Sequence, residues 1–265
     1  MISYCIVAYR PPYVRWLIQD LIRKTTCPYE ILIWLNTADR DLMELIRSRQ
    51  TEGDPVHVVG TTPENIGMVG FKHLFLRARY PIITQLDDDV LRVSHRIGEI
   101  ATDIFARHPS VGQIVADVWQ DDWTNGARPK LSDYTPWDSA DGLLEGPIDG
   151  WFSMYHRSTL PILMQAPFSK YLFLGSWVRA MLAGSGRRGL LCTKVKVFHA
   201  IGPRYASLFG MLDFEIEKYQ SVGREWLSEI YAGWKASPPP PALVEEGRRI
   251  AYEGVDAFGL PSEGA

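Results

Sequence analysis

The sequence predicts an α/β fold with a mostly parallel central sheet flanked by helices. Short apolar runs rich in β-branched residues alternate with segments of helical period through the first 105 residues. Strands separated by single helices imply right-handed crossovers and parallel pairing. The chain has 265 residues, 46% of them hydrophobic, which is enough to bury a large core. A third observation points to function: Asp87, Asp88 and Asp89 follow an apolar run that reads as a buried strand.

Residues 2–8 form the first strand. Pro11 and Pro12 mark a turn and helix entry, where proline is tolerated. Val14, Leu17, Ile18, Leu21 and Ile22 then repeat at helical spacing. Residues 30–35 are a second strand, and 39–49 a helix with Leu42, Leu45 and Ile46 inward. Residues 56–59 are a third strand, and the loop 61–67 leads into a helix over 68–79. Strand 81–86 ends in the acids. Val93, Ile97, Ile100, Ala101, Ile104 and Phe105 mark another amphipathic helix. Ligands of such sheets bind at the carboxyl ends of the strands, where Tyr9-Arg10 and Asn36 join the acids.

The second half is less regular. Residues 112–119 read as a strand. The stretch 120–146 is long, polar and aromatic, with Trp123, Tyr134 and Trp137; loops of that length are functional or disordered. Its tryptophans either stack on sugar rings or bases or pack the loop onto the body. Residues 148–155 form a strand carrying Asp149, Gly150 and Trp151, and 177–183 a short helix. Residues 194–198 are a strand with His199 at its end. A helix over 208–221 buries Leu208, Met211, Leu212, Ile216 and Tyr219, with Asp213, Glu215 and Glu217 on a wet face. Residues 184–189, with Arg187 and Arg188, are either a phosphate- or acid-binding loop or a solvated turn.

Composition narrows the function classes. A net charge of −3 gives no general affinity for nucleic acid or anionic membrane. Cys5, Cys27 and Cys192 are an odd set without metal spacing, so reduced thiols and a cytoplasmic location are expected. The N-terminus enters a strand directly, so no signal peptide is expected. No run has the length of a transmembrane helix.

In an extended chain Asp87 and Asp89 share a face. Carboxylates held together are costly without a cation. The spacing suits Mg²⁺ or Mn²⁺ carrying a phosphorylated substrate; the other reading is a solvated acidic turn. His199 is either a third ligand or a structural histidine. The segment Glu64-Asn65-Ile66-Gly67, with Gly70 and Lys72, either brings amides and an amine to phosphates or is an ordinary helix entry. No Walker A or G-x-G-x-x-G sequence follows the first strand, which disfavours kinase, ATPase and dinucleotide-binding readings.

The ordered set Ile6-Val7-Ala8-Tyr9-Arg10, Ile33-Trp34-Leu35-Asn36, Glu64-Asn65-Ile66-Gly67, Leu86-Asp87-Asp88-Asp89-Val90 and Val197-Phe198-His199-Ala200-Ile201-Gly202 resembles the GT-A fold glycosyltransferases of the family 2 type, over roughly residues 2–202. The resemblance implies a nucleotide-sugar donor, a UDP-sugar first, with Mn²⁺ or Mg²⁺ as cofactor and a hexosyl or N-acetylhexosaminyl group transferred. It places Ala8, Tyr9 and Arg10 near the nucleotide base, and Asn36 where the family often carries an Asp. Asn65, Gly67 and Lys72 fall beside the nucleotide. Asp87 and Asp88 fall on the donor, and Asp87, Asp89 and His199 on the metal. Residues 1–236 then form the catalytic domain, with 1–110 as nucleotide-binding half and 111–236 as acceptor-side half. Residues 237–265 form a Pro-rich spacer and tail.

One departure stands out. Inverting relatives place an Asp just before the helix that here starts near Trp177, whereas this chain reads Phe173-Leu174-Gly175-Ser176-Trp177. Either Asp149 supplies the base, or the enzyme retains configuration, or donor is bound without efficient transfer. Trp123, Trp137, Trp151, Trp177 and Arg204 are the acceptor-side candidates. The acceptor stays open between a saccharide, a small molecule and a modified DNA base. Two rivals remain. A nucleotidyltransferase needs a Gly-rich basic loop that Tyr9-Arg10-Pro11-Pro12 is not. A non-catalytic sugar- or nucleic-acid-binding module would work through residues 119–137.

Overall fold

The computed structural model describes residues 1–119, 129–237 and 240–245. Its first half follows the expected alternation: β1 (Ile2–Ala8), α1 (Pro11–Lys24), β2 (Tyr29–Leu35), α2 (Arg40–Thr51), β3 (Val56–Thr61), α3 (Val69–Arg77) and β4 (Ile82–Leu86). These strands stand in the order β3-β2-β1-β4, all parallel. β1 is buried along its whole length, as a central strand covered on both faces must be. α1 starts on prolines, and α2 is capped by the Asp39 carboxylate, which accepts from Leu42 N at 2.7 Å.

Beyond β4 the sheet turns mixed rather than staying mostly parallel. The chain continues through β5 (Val90–Val93), α4 (Ile97–Arg107), β6 (Val111–Trp119), β7 (Thr135–Asp138), β8 (Leu143–Glu145), β9 (Phe152–His156), α5 (Leu160–Leu163), α6 (Leu174–Gly184) and β10 (Arg188–His199). β9 inserts antiparallel between β4 and β6, and β10 pairs parallel with β6 but antiparallel with β5 and β8. Three helices, α7 (Pro203–Leu208), α8 (Leu212–Ser221) and α9 (Glu225–Ala236), follow.

Helices cover both faces. Ile2, Tyr4 and Ile6 meet Val14 and Leu17 of α1 and Ile97 and Ala101 of α4 in one core. Cys5 and Val7 point the other way, toward Phe71 and Leu74 of α3 and Leu174 and Val178 of α6. This split is the period-2 pattern of β1 resolved into two layers. No helix among the described residues is long and apolar enough to cross a membrane.

Several expectations are corrected. Val93 belongs to strand β5, because Val93 pairs with Val197 and its amide is taken by Asp20 at 2.8 Å; the helix begins only at Ile97. β10 starts at Arg188, so Arg187 and Arg188 are not a free loop: Arg188 pairs with Glu145 at 2.7 Å and Arg187 donates to Ser158 at 2.9 Å. Residues 148–151 precede β9 rather than forming it. The helix expected over 208–221 is broken around Gly210 into α7 and α8. In the Pro-rich spacer, Leu243 packs against a cluster of Tyr13, Leu91 and Phe198. Trp123 and residues 246–265 of the tail lie outside the described residues.

Asp20 ties α1 to the middle of the molecule. Its side chain is 0% exposed and pairs with Lys24 at 3.2 Å and Arg92 at 3.4 Å. Removing it leaves two buried cations without that carboxylate. Asp20→Ala is expected to lower unfolding free energy by about 3–5 kcal/mol, read from urea denaturation.

Candidate functional site

The carboxyl ends of β1, β2 and β4 open onto a cleft of about 700 Å³. The Asp87–Asp89 turn forms its rim between β4 and β5, anchored by Asp87 N donating to Trp151 O at 3.0 Å. α8 and the loop 170–173 contribute further walls.

Asp88 is occupied within the protein. One oxygen accepts the amides of Tyr9 and Arg10, each at 2.7 Å, and the other meets the Arg10 guanidinium. Arg10 is only 7% exposed and lies between Asp88, Asp89 (3.3 Å) and Glu215 (2.5 Å). Its guanidinium thus pairs with the acidic turn and with α8. Glu215 also binds Lys218 at 3.1 Å, so the residue expected on the wet face of α8 is a buried bridge to β1. Tyr9 packs its ring on Phe214 of the same helix, centroids 4.5 Å apart.

Asp87, Asp89 and His199 offer ligand atoms all within 4.8 Å of one another. His199 Nε2 lies 2.9 Å from Asp89 Oδ1, while its buried Nδ1 has no partner among the described residues. Burial, then the Asp89 and Asp88 carboxylates, push the Asp87 carboxyl well above its usual range. Burial opposes ionisation of Asp89 too, but Arg10 and then His199 outweigh it and hold that carboxyl well below. A cation would relieve the repulsion on Asp87, and two carboxylates with an imidazole suit Mn²⁺ or Mg²⁺. The residues fit the group. A second cluster, His108, Asp138 and Asp141, is as tight. There Asp141 already carries Arg107 at 2.8 Å and Lys194 at 3.4 Å, which makes it an ion-pair network.

Asn36 is 2% exposed. It donates to Asn65 Oδ1 at 3.0 Å and accepts from Thr62 and from Ile66 N. It tethers the 62–67 loop. Gly67 has φ +55°, and a Cβ there would lie 2.0 Å from Lys170 O. Tyr9, Arg10, Asn36, Asn65 and Gly67 all line the cleft; Lys72 does not, being exposed on α3. Ala8 is buried at the end of β1, its carbonyl holding Asn36 N at 2.9 Å. Besides Arg10, the lysines and arginines that line the cleft are Lys170, Lys218 and Arg224. No local pattern pointed to them, because each comes from a different turn or helix of the second half.

Asp149 lines the cleft beside Ser176. Burial raises its carboxyl above the ordinary value, against bonds from the Ser176 and Gly150 amides and the charge of Arg224. A Cβ on Gly175 would fall 2.5 Å from the Asp149 carbonyl carbon. The first turn of α6 therefore packs directly on the Asp149 backbone.

Among the described tryptophans expected on the acceptor side, only Trp151 lines the cleft. It is 6% exposed, its Nε1 donating to Ala116 O at 2.7 Å, so it is a wall rather than a stacking platform. Trp137 stands edge-on to His108, centroids 5.0 Å apart. Trp177 packs on the second core. Arg204 lies over the Trp234 ring at 5.7 Å, away from the cleft.

No protein-family model matches the chain, and no curated protein matches it in sequence. Solved structures do match. A mannosyltransferase from Pyrobaculum calidifontis, in complex with GDP-Man and Mn²⁺, aligns over 94% of this chain and 80% of its own, at 15% identity and TM-score 0.55. The TarS 1-349 structure from S. aureus covers 82% of this chain, at 12% identity and TM-score 0.57; the chain spans 65% of that structure. GalNAc-T7 with UDP, GalNAc and Mn²⁺ covers 89%, at 10% identity and TM-score 0.57, and the chain spans 54% of it. The fold is the GT-A glycosyltransferase fold.

The contact between the 62–67 and 170–173 loops generates a test. Gly67→Ala meets both the left-handed backbone and Lys170 O. It is expected to cost about 1–3 kcal/mol in urea denaturation.

Proposed function

We propose that this protein is a metal-dependent glycosyltransferase moving a sugar from a nucleotide-diphosphate donor to an acceptor hydroxyl, with UDP-sugars first among the donors and a hexosyl or N-acetylhexosaminyl group transferred. One observation carries the reading. A tight Asp87–Asp89–His199 set and a half-buried Asp149 face the same cleft at the carboxyl ends of the parallel strands of a GT-A fold.

Asp87, Asp89 and His199 would hold the divalent cation. When bound, it neutralises the charge that develops on the departing diphosphate. Asn36 and Asn65 shape the nucleotide end by holding the 62–67 loop, with Tyr9 beside it. Lys218 adds positive charge next to the acids; Arg10 favours the ionised form of Asp89 in a buried setting. Asp149 accepts the proton of the acceptor hydroxyl. A base on the acceptor side serves a single displacement, which inverts the anomeric centre.

Asp149 also weighs against a non-catalytic module, since the missing acid at Gly175-Ser176 was its main support. The acceptor is a saccharide, a small molecule or a modified nucleic-acid base. Arg187 and Arg188, already engaged with Ser158 and Glu145, lend nucleic acid no support.

The reading is tested by incubating the protein with Mn²⁺ and a panel of UDP-, GDP- and TDP-sugars. Nucleotide diphosphate release that chelator abolishes is expected from one donor class; none from any, without donor binding, overturns the reading. Asp89→Asn and His199→Ala are each expected to weaken Mn²⁺ binding by about tenfold or more in calorimetry. Asp149→Asn should keep donor binding but lose about 10²–10⁴ in transfer. Because burial raises the Asp149 carboxyl, its basic form is gained as pH rises through that raised value. Turnover should therefore climb with pH in the wild type, and the limb assigned to Asp149 should be absent from Asp149→Asn.

A further inference from the structure

Gln85 sits two residues before Asp87 on β4 and so shares its face. It is 2% exposed, yet it lines the cleft. Its amide oxygen is taken: the Tyr155 hydroxyl donates to Oε1 at 3.0 Å, which fixes the orientation of the amide. Its amide nitrogen donates to no described residue, and the amide belongs among the lining groups with Val7, Phe71 and Gly150. A Cβ on Gly150 would fall 1.9 Å from Gln85 Nε2, so residue 150 must be glycine for the amide to occupy this position.

The Gln85 Nε2 is open to the cleft rather than sealed in the core, so a ligand oxygen there can accept from it. Tyr155 is itself fully buried, and its hydroxyl holds this side chain. Gln85 lines the same cleft as Asp87, of the metal set, and Asp149. A group transferred from a donor anchored at Asp87 toward an acceptor activated at Asp149 moves within that cleft.

We propose that Gln85 is a specificity-determining residue that donates from Nε2 to an oxygen of the transferred sugar, with Tyr155 and Gly150 as its positioning residues. The proposal rests on the nucleotide-sugar reading above and deepens it. The recognised chemistry is a hydrogen-bond acceptor, a ring hydroxyl or the carbonyl of an acyl substituent, and a sugar lacking that oxygen is discriminated against. A site built to hydrogen-bond a substrate oxygen rejects the analogue without it more strongly than an apolar pocket does, because its own polar group is left unpaired.

The experiment compares two affinities in the presence of Mn²⁺: the bare nucleotide diphosphate, and the same nucleotide carrying the sugar that the wild type hydrolyses. Gln85→Met keeps the volume and removes both donors. It is expected to bind the diphosphate within about twofold of wild type and the nucleotide sugar about tenfold more weakly. Tyr155→Phe removes only the hydroxyl that orients the amide and is expected to lower the ratio about threefold, with a folded circular-dichroism spectrum; it carries the test alone if Gln85→Met does not fold. A ratio of the two affinities unchanged from wild type in the folded variants overturns the role of Gln85 while leaving the transferase reading intact. A wild type that binds no nucleotide diphosphate with Mn²⁺ overturns both.

Discussion

The buried guanidinium of Arg10 is the interaction on which the rest of the site depends. It faces Asp88, Asp89 and Glu215 from two distant parts of the chain: the turn after β4 supplies two of the acids and α8 the third. Carboxylates crowded at the end of a buried strand would repel one another and shed charge by taking up protons. One planar cation with its donors in a fork resolves this in a way that a flexible ammonium does not. It also sets a hierarchy among the acids. Asp88 is occupied by Arg10 and two backbone amides, Asp89 is held ionised, and Asp87 carries the unresolved repulsion. That last carboxyl, with His199, is the part of the turn left for a cation.

The same guanidinium makes the C-terminal helix α8 part of the architecture of the cleft. Through Glu215 it fixes α8, which brings Lys218 and Phe214 to the cleft. A buried ion pair contributes little net stability once its desolvation is counted, but breaking one is expensive. The Arg10–Glu215 pair is therefore better understood as setting where α8 sits than as strengthening the fold.

Close backbone approach shapes the remainder of the cleft. Gly67 lets its loop touch Lys170, and Gly175 lets α6 settle on Asp149. The second contact places the Asp149 carboxyl beside the start of α6. The α6 amides stabilise a negative charge at that point whichever segment carries it.

The sequence by itself determined the α/β alternation of the first half, the position of the acids at a strand end and the shared face of Asp87 and Asp89. Each of these is a local matter of period, composition and chain direction. His199 was legible as a strand-end residue, and the GT-A likeness followed from the order of such segments. Val93 was misassigned to a helix because a strand as short as β5 has too few residues to show its own period against the helix that follows. Tertiary structure alone decided which partners the polar residues meet. Arg10 turned inward because Glu215, more than 200 residues away in the chain, completes its cage. Trp137 and Trp177 became packing residues, and Arg204 went to Trp234. The cations Lys170, Lys218 and Arg224 and the amide of Gln85 gained their place from the insertion of β9 and the return of α8 over the sheet. Hydrogen bonds and ion pairs act over a few ångströms, and only the folded chain brings such distant segments within that range.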